Sequence, residues 1–575
     1  MQDEQTPIKG YLLSDPIADE IDFENLSNDR RLNKLLKSVL GEVKLYAEDQ
    51  IKHIKQLTQI GLALSAEKDI SKLLENIVDQ ARDLSNADAG TLYIMEDDKA
   101  YLRFEILQND SMNTRMGGTR AIEKTLPKVP LYDEEGHPNH ANVSSYTAIT
   151  GNIVNIPDVY EAEGFDFTGP RKYDESTGYR SKSMLVIPLK NHENDIIGVL
   201  QLLNAQDRDT GEVVAFSPEY VDLIGSLASQ AAVALTNTQL IQDLKNLFHA
   251  FIRSIATAID AKSPYTKGHI DRVVVLTMMI AEAVNADGAG AFKDTFFSED
   301  EIEEMRIAAW MHDVGKITTP EHVVNKSTKV ETIFDRIHLI KTRFDLIAEQ
   351  IRTRFLNQKV QLLANGQADS QTLERIDTKC AKKLAQLRDD LAFIRTCNSP
   401  GEFLKDDSVD RIRQIGTQTY FLEGSEQPYL TDNEVENLCI RKGSLTVAER
   451  EKIQDHATMT LKMLKQLPFP KKLSQVAEYA SGHHEKLDGT GYPRGLSGDE
   501  LSLQSRIMAV ADIFEALTAK DRPYKEPMQL SQAIKILGFM EKDQHIDPEV
   551  LDIFLRNELH IEYARVQMNP EQIDI

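Results

Sequence analysis

Residues 480–493 read ASGHHEKLDGTGYP, two adjacent histidines followed by an acid, a glycine-rich turn and a proline. Imidazoles and carboxylates are the ligands that first-row divalent cations take. Glycine permits positive φ and close approach of backbone to a ligand. The turn therefore reads as a shaped loop lining a pocket, with Gly491 and Tyr492 facing a substrate and Pro493 stiffening the bend. His483 and His484 need further ligands to make a site, and four other stretches offer them. WMHDVGK carries His312, Asp313 and Lys316, and EREKIQDHA carries His456. YTKGHIDRV carries His269 and Arg272, and MAVADIFEALTAKDRPYK carries Asp512, Arg522 and Lys525.

His312 and Asp313 are neighbours and cannot share a face as an i,i+4 pair does. They can reach one ion if the helix ends there, which Gly315 favours. Asp313 has two oxygens and could bridge two cations, while Lys316 could point at a bound anion. Such a site suits phosphodiester hydrolysis, because metals activate water and neutralise phosphate oxygens. Arg522 and Lys525 read as phosphate grips or as solvated charges at a helix end; Arg272 fits either role. The other histidines, His53, His137, His140, His192, His249, His322, His338, His545 and His560, read as surface or satisfied core side chains.

The 575 residues carry a formal net charge of −25, which argues against non-specific binding to nucleic-acid polymers or an anionic membrane. Cys380, Cys397 and Cys439 are odd in number and widely spaced, so a disulfide framework is not expected and a reducing cytoplasm fits. No apolar run approaches the ~20 residues of a membrane helix.

Residues 1–54 read as an acidic tail followed by a helix, with Leu32, Leu36, Val39, Val43 and Tyr46 at spacings of three and four. That row could pair with another helix or pack on its own domain. Residues 55–240 then alternate helix, hairpin, irregular middle, hairpin and a long helix with Ser217 near its N-cap. This order, with STGYRSKSMLVIPL and IIGVLQLLNA, resembles a GAF domain. The resemblance implies an α+β sensor for an unknown small ligand, or an empty dimerising module. Ala205 stands where the cyclic-nucleotide signature has lysine. The long helix, uninterrupted by proline from residue 219 to 262, could couple this part to the C-terminal half of the chain.

Residues 241–575 are expected to be all-helical. His269, the His312–Asp313 pair, Lys316, His456, HHEKLDGTGYP and Asp512 together resemble an HD-GYP domain. That resemblance implies a cyclic di-GMP phosphodiesterase with iron or manganese held by His269, His312, Asp313, His456, His483, His484 and Asp512. Asp313 and Lys316 would be catalytic, and a GGDEF diguanylate cyclase is a possible partner of the loop. Trinuclear members carry glutamate four residues before the first histidine; Tyr265 holds that position here, so a binuclear centre and linear pGpG are expected. A stretch at 333–440 expands the link between HDVGK and the next histidine. Ile333, Ile337, Ile340, Phe344, Ile347 and Ile351, then Cys380, Leu384, Leu387, Leu391 and Ile394, predict an antiparallel helical hairpin inserted in the hydrolase domain. The expected architecture is thus multidomain, a GAF-like α+β sensor followed by an all-α HD-type domain, and a homodimer. Rival readings are a non-catalytic receptor of cyclic di-GMP or of a GGDEF partner, and a hydrolase of another cyclic dinucleotide such as 3′,3′-cGAMP.

Overall fold

A computed structural model describes residues 29–96, 98–120, 126–262, 268–288, 290–401, 403–520 and 527–575. Tyr265, Arg522 and Lys525 lie outside the described residues. The chain divides into two compact units, one ending at Asn246 and the other beginning at Leu247.

The first unit opens with α1 (Arg30–Ala66) and α2 (Ile70–Ser85), each started by an aspartate, Asp29 or Asp69, whose side chain accepts first-turn amides. Strands follow: β1 (Ala87–Met95), β2 (Tyr101–Asn109), β3 (Thr114–Gly117) and β4 (Val129–Pro130). The middle that sequence leaves irregular contains α3 (Val143–Thr150), β5 (Val154–Ile156) and α4 (Thr168–Thr177). β6 (Met184–Lys190), β7 (Ile196–Gln206) and β8 (Val213–Val214) complete an antiparallel sheet ordered β3-β2-β1-β7-β6-β5, with β4 on β2 and β8 on β7. Period-2 alternation gives the sheet two apolar faces. Leu92, Leu185, Ile187, Leu200 and Leu202 pack with α1, α2 and α5 (Pro218–Lys262), while Tyr93, Met184, Val186 and Val199 pack with Val143, Val159 and Phe167. The stretch around Tyr179 is tied down by polar bonds: Tyr179 donates to Asp88 (2.8 Å), and the Asn204 amide donates to Tyr179 Oη and to the Arg180 carbonyl.

The second unit is helical: α6 (His269–Asn285), α7 (Glu299–Met311), a 3₁₀ turn (Val314–Thr318), α8 (Glu321–Val324), α9 (Ile337–Ala364) and α10 (Ser370–Asn398). After α11 (Asp406–Gly416) comes a small hairpin, β9 (Thr419–Leu422) and β10 (Ser425–Pro428), which departs from the all-helical expectation. Its Glu423–Gly424 turn has positive φ at both positions, as a two-residue hairpin loop requires. α12 (Asp432–Leu438), α13 (Val447–Leu464), α14 (Val476–Ser481), α15 (Leu503–Thr518), α16 (Leu530–Lys542), α17 (Pro548–Arg556) and α18 (Leu559–Gln567) complete the unit.

The helical hairpin is present as α9 and α10, with an apolar core of Ile340, Phe344, Ile347, Leu387 and Ile394 and a Lys359–Asp377 ion pair near its tip (2.5 Å). Ile333 departs from the expected stripe. It precedes α9, whose N-cap is Arg336, and is 89% exposed; Asp335, between it and the helix, accepts the Ile337 amide. Two further apolar cores flank the histidine-bearing helices. One joins α6, α15, α16, α17 and α18; the other joins the end of α5 to α7 and α14.

Candidate metal centre

α7 begins with a full capping box, Ser298 and Glu301, and stops at Met311, which leaves His312 as its C-cap. The chain then tightens into the 3₁₀ turn, so His312 and Asp313 leave the helix where their side chains can turn inward. Gly315 is required by this approach: a Cβ there would lie 1.9 Å from the His456 carbonyl oxygen. Thr460 locks the contact, accepting from the Gly315 amide and donating to the His312 carbonyl, both at 3.0 Å. α13 thus delivers His456 and, one turn on, Thr460 to the same place.

His483 and His484 emerge just past the end of α14, and His269 opens α6. Asp512 and Glu515 stand one turn apart on α15, both towards His269. His269 Nε2 lies 3.3 Å from Asp512 Oδ1 and 3.5 Å from Asp313 Oδ2. His312 Nε2 is 3.3 Å from Asp313 Oδ2, and His456 Nε2 is 3.3 Å from Asp313 Oδ1. The imidazoles form a continuous cluster, with ring centroids of His312 and His483 4.8 Å apart and those of His483 and His484 4.0 Å apart. All seven residues proposed from the sequence as ligands therefore converge. Their donor atoms make two compact triplets, His269–His312–Asp313 and His456–His483–His484, each within 4.8 Å.

The tautomers follow from the partners. His312, His456 and His483 each direct Nδ1 at the carbonyl three residues earlier, Ala309, Ile453 and Ala480, at 2.7, 2.5 and 2.7 Å. A carbonyl only accepts, so Nδ1 carries the proton and Nε2 keeps its lone pair. All three Nε2 atoms, and Asp313 Oδ1, are buried without a hydrogen-bond partner. Burying an unpaired acceptor costs ~1–3 kcal/mol, and four in one cluster are the signature of atoms that meet a cation. The donor set, nitrogen and carboxylate oxygen, fits a divalent first-row metal.

Electrostatics agree. Burial opposes ionisation of Asp313, yet the Lys316 ammonium holds its carboxyl well below the usual range. Asp512 is likewise held far down, with His269 outweighing burial. Burial drives His483 well below the ordinary imidazole value and His484 down to about 3. His269 goes the other way: burial alone would lower it, but hydrogen bonds to Asp313, Asp512 and Glu515 raise it well above.

Three residues that sequence reading did not single out support the cluster. Glu515, 1% exposed, meets His269 Nδ1 at 2.5 Å and also binds Arg272 (2.8 Å). Arg272, offered as a substrate contact, sits in this ion pair. Glu485 is buried behind the glycine-rich loop and accepts the amides of Arg494 (2.7 Å) and Leu496 (3.0 Å). Gly491 presses on the backbone of that acid; a Cβ would lie 2.4 Å from Glu485 Cα. Tyr492 rests on His484 (centroids 4.8 Å), after which the chain takes a cis bond to Pro493. His545, read from sequence as an ordinary histidine, lines a cavity of about 460 Å³ with His483, His484, Lys486, Tyr492 and Asp512. Ile513, Leu517, Ile536 and Met540 supply its apolar wall.

Residues 69–235 match the GAF domain model, and two HD domain models match residues 266–387 and 432–550. The chain joins a GAF domain to HD-domain sequence. The two HD segments hold every residue of the cluster, and an HD domain of this kind is a divalent-metal-dependent hydrolase domain. Among similar proteins, the 3′3′-cGAMP-specific phosphodiesterase 3 of Vibrio cholerae is 48% identical over 112 residues, 19% of this chain and 23% of that protein. A probable cyclic di-GMP phosphodiesterase of the same organism is 39% identical over 131 residues, 21% and 29% of the two chains. The cyclic di-GMP phosphodiesterase of Thermotoga maritima is 36% identical over 126 residues, 22% and 33%. The chain thus spans between about a quarter and a third of the length of these relatives. Among the described residues no helix is long and apolar enough to cross a membrane.

Proposed function

We propose that this protein is a metal-dependent phosphodiesterase that opens cyclic di-GMP, mainly to linear pGpG, under control of its GAF domain. The observation that carries the reading is the set of buried, partnerless Nε2 atoms of His312, His456 and His483 around a carboxylate that faces both triplets. Two iron or manganese ions would fit, one per triplet, with Asp313 between them and Asp512 beside His269 and His312. When bound, such a pair supplies an activated water and neutralises phosphate charge.

The chain's own residues do the rest. The Ala309, Ile453 and Ala480 carbonyls hold the rings of His312, His456 and His483 in the tautomer that presents a lone pair, as partners behind ligating histidines do, and Glu515 orients His269. The Lys316 ammonium, paired with Asp313 Oδ2, would grip a phosphate oxygen and give a proton to the departing ribose oxygen. The cavity beside His484 and Asp512, with its apolar wall, suits a purine base. Arg522 and Lys525 are proposed as further phosphate contacts, and Gly491 and Tyr492 as the loop's substrate face.

Regulation would come from a small ligand of the GAF domain, from a GGDEF cyclase docking at the loop, and from a second copy of the chain. The last is supported by a row along α1, Leu32, Val39, Val43 and Tyr46, each at least 45% exposed and at coiled-coil spacing. Cys380, Cys397 and Cys439 are unpaired thiols, which suits the cytoplasm.

A second reading has its own support, since the relative at 48% identity is named for 3′3′-cGAMP. Anaerobic purification, metal analysis and product identification on a panel of cyclic dinucleotides test both. Two equivalents of metal with pGpG from cyclic di-GMP is the expected result; cleavage of 3′3′-cGAMP alone would select the second reading. Tight nucleotide binding by metal-loaded protein without turnover would make it a receptor.

A further inference from the structure

The 3₁₀ turn that carries Lys316 ends in backbone carbonyls, of which that of Lys316 takes the Thr319 amide and still has a lone pair to offer. A lysine from far upstream satisfies them. Lys262, the last residue of α5, places its Nζ 3.0 Å from the Lys316 carbonyl, 2.6 Å from that of Ile317 and 2.6 Å from that of Thr319. An ammonium has three donors, so this one is fully used on a single turn more than fifty residues away. A positive charge at a helical C-terminus is also favoured by the backbone dipole. Two residues earlier, the Asp260 carboxylate accepts the amide of Gly268, the residue that precedes His269. The final turn of α5 therefore holds the backbone on both sides of the cluster.

We propose that Lys262 is a positioning residue of the hydrolase site. It fixes the 314–319 turn so that Lys316 stays on Asp313, while the histidine set is held independently by its own carbonyl partners. The proposal rests on the hydrolase reading for its kinetic consequence and on backbone geometry alone for its structural one.

The test uses the full chain loaded with Mn²⁺ and three variants, Lys262→Met, Lys262→Gln and Lys262→Arg. Metal content, kcat and KM on cyclic di-GMP, and amide exchange across residues 312–322 are measured. Lys262→Met is expected to keep wild-type metal content and KM, to lose about 10²-fold in kcat, as a misplaced group does, and to speed exchange at Lys316 and Thr319. Their amides now bond to Asp313 and Lys316 carbonyls. Lys262→Arg, which keeps charge and donors, should recover most of the rate. Unchanged exchange and kcat in Lys262→Met would overturn the proposal. So would loss of bound metal, because the lysine would then support the ligands and not Lys316. Collapse of both Lys262→Met and Lys262→Gln counts against it in the same way. If wild-type protein cleaves no cyclic dinucleotide the hydrolase reading fails, and the exchange measurement still decides the role of Lys262.

Discussion

Glu515 shows how much of a metal site lies behind the ligands. It meets His269 at Nδ1 and is itself braced by Arg272, so it sets which nitrogen faces Asp313 and Asp512. Replacing it with glutamine keeps the shape and removes the charge. Glu515→Gln should weaken metal binding by about 10–100-fold, the range for partners behind metal ligands, read by competitive titration against a chelating dye; wild-type affinity would show that His269 needs no orienting charge. Met540 belongs to the apolar wall of the cavity and is not one of the clustered donors. Met540→Trp should raise KM for the dinucleotide about tenfold while metal content stays constant, an expectation from filling a pocket; a KM at the wild-type value would place the base elsewhere. The clustered histidines were legible in the sequence because their chemistry is narrow and their local motifs agree. Glu515 was not, since an acid three residues after Asp512 in a helix looks like a solvated charge until the fold brings His269 to it. Lys262 and Thr460 were hidden for the same reason: their partners are remote in sequence.

The helical hairpin and the small strand pair illustrate opposite outcomes at the scale of elements. The heptad-like spacing of Ile340, Phe344 and Ile347 against Leu387 and Ile394 was readable and is what packs. Ile333 carried the same spacing one step too far, because periodicity does not say where a helix starts, and α9 starts only after Arg336. β9 and β10 were missed although Glu423–Gly424 is a two-residue turn signal, because helical periodicity on either side dominated the reading. Beyond Ile351 and before Leu384 the hairpin packs mainly on itself, with its tip closed by Lys359 and Asp377. Exchanging residues 352–383 for a short glycine–serine loop should leave metal content and kcat within about twofold, since surface changes away from the core are usually mild. A metal-free product would mean that the distal arm supports the site.

At the scale of the whole chain, acidity is the first condition to probe. An unfolded histidine titrates near pH ~6.5, whereas His484 in the fold is pushed down to about 3 and His483 moves the same way. Between those limits the unfolded chain binds protons that the folded one refuses. Stability conferred by these rings is therefore present above pH ~6.5 and is lost as pH falls, by at most ~1.4 kcal/mol per pH unit for each ring. His269 has its pKa raised, so its contribution is full below pH ~6.5 and is lost only as pH rises through its own value; it adds no slope in this window. For chelator-treated protein, the urea midpoint of the HD unit should fall steadily from pH 6.5 to 4.5; a level curve would mean that the rings are hydrated. Several separate cores also mean that melting is not a single transition. α5 gives Ile224 to Leu235 to one core and Ile252 to Ile259 to another, and every residue from 236 to 251 is at least partly open to solvent. Near the far end of that stretch Phe248 packs on the second core and His249 pairs with Glu303 at 2.5 Å, while residues 236–247 belong to neither core. A nick within those residues would leave each of the two cores, and the histidine cluster, whole.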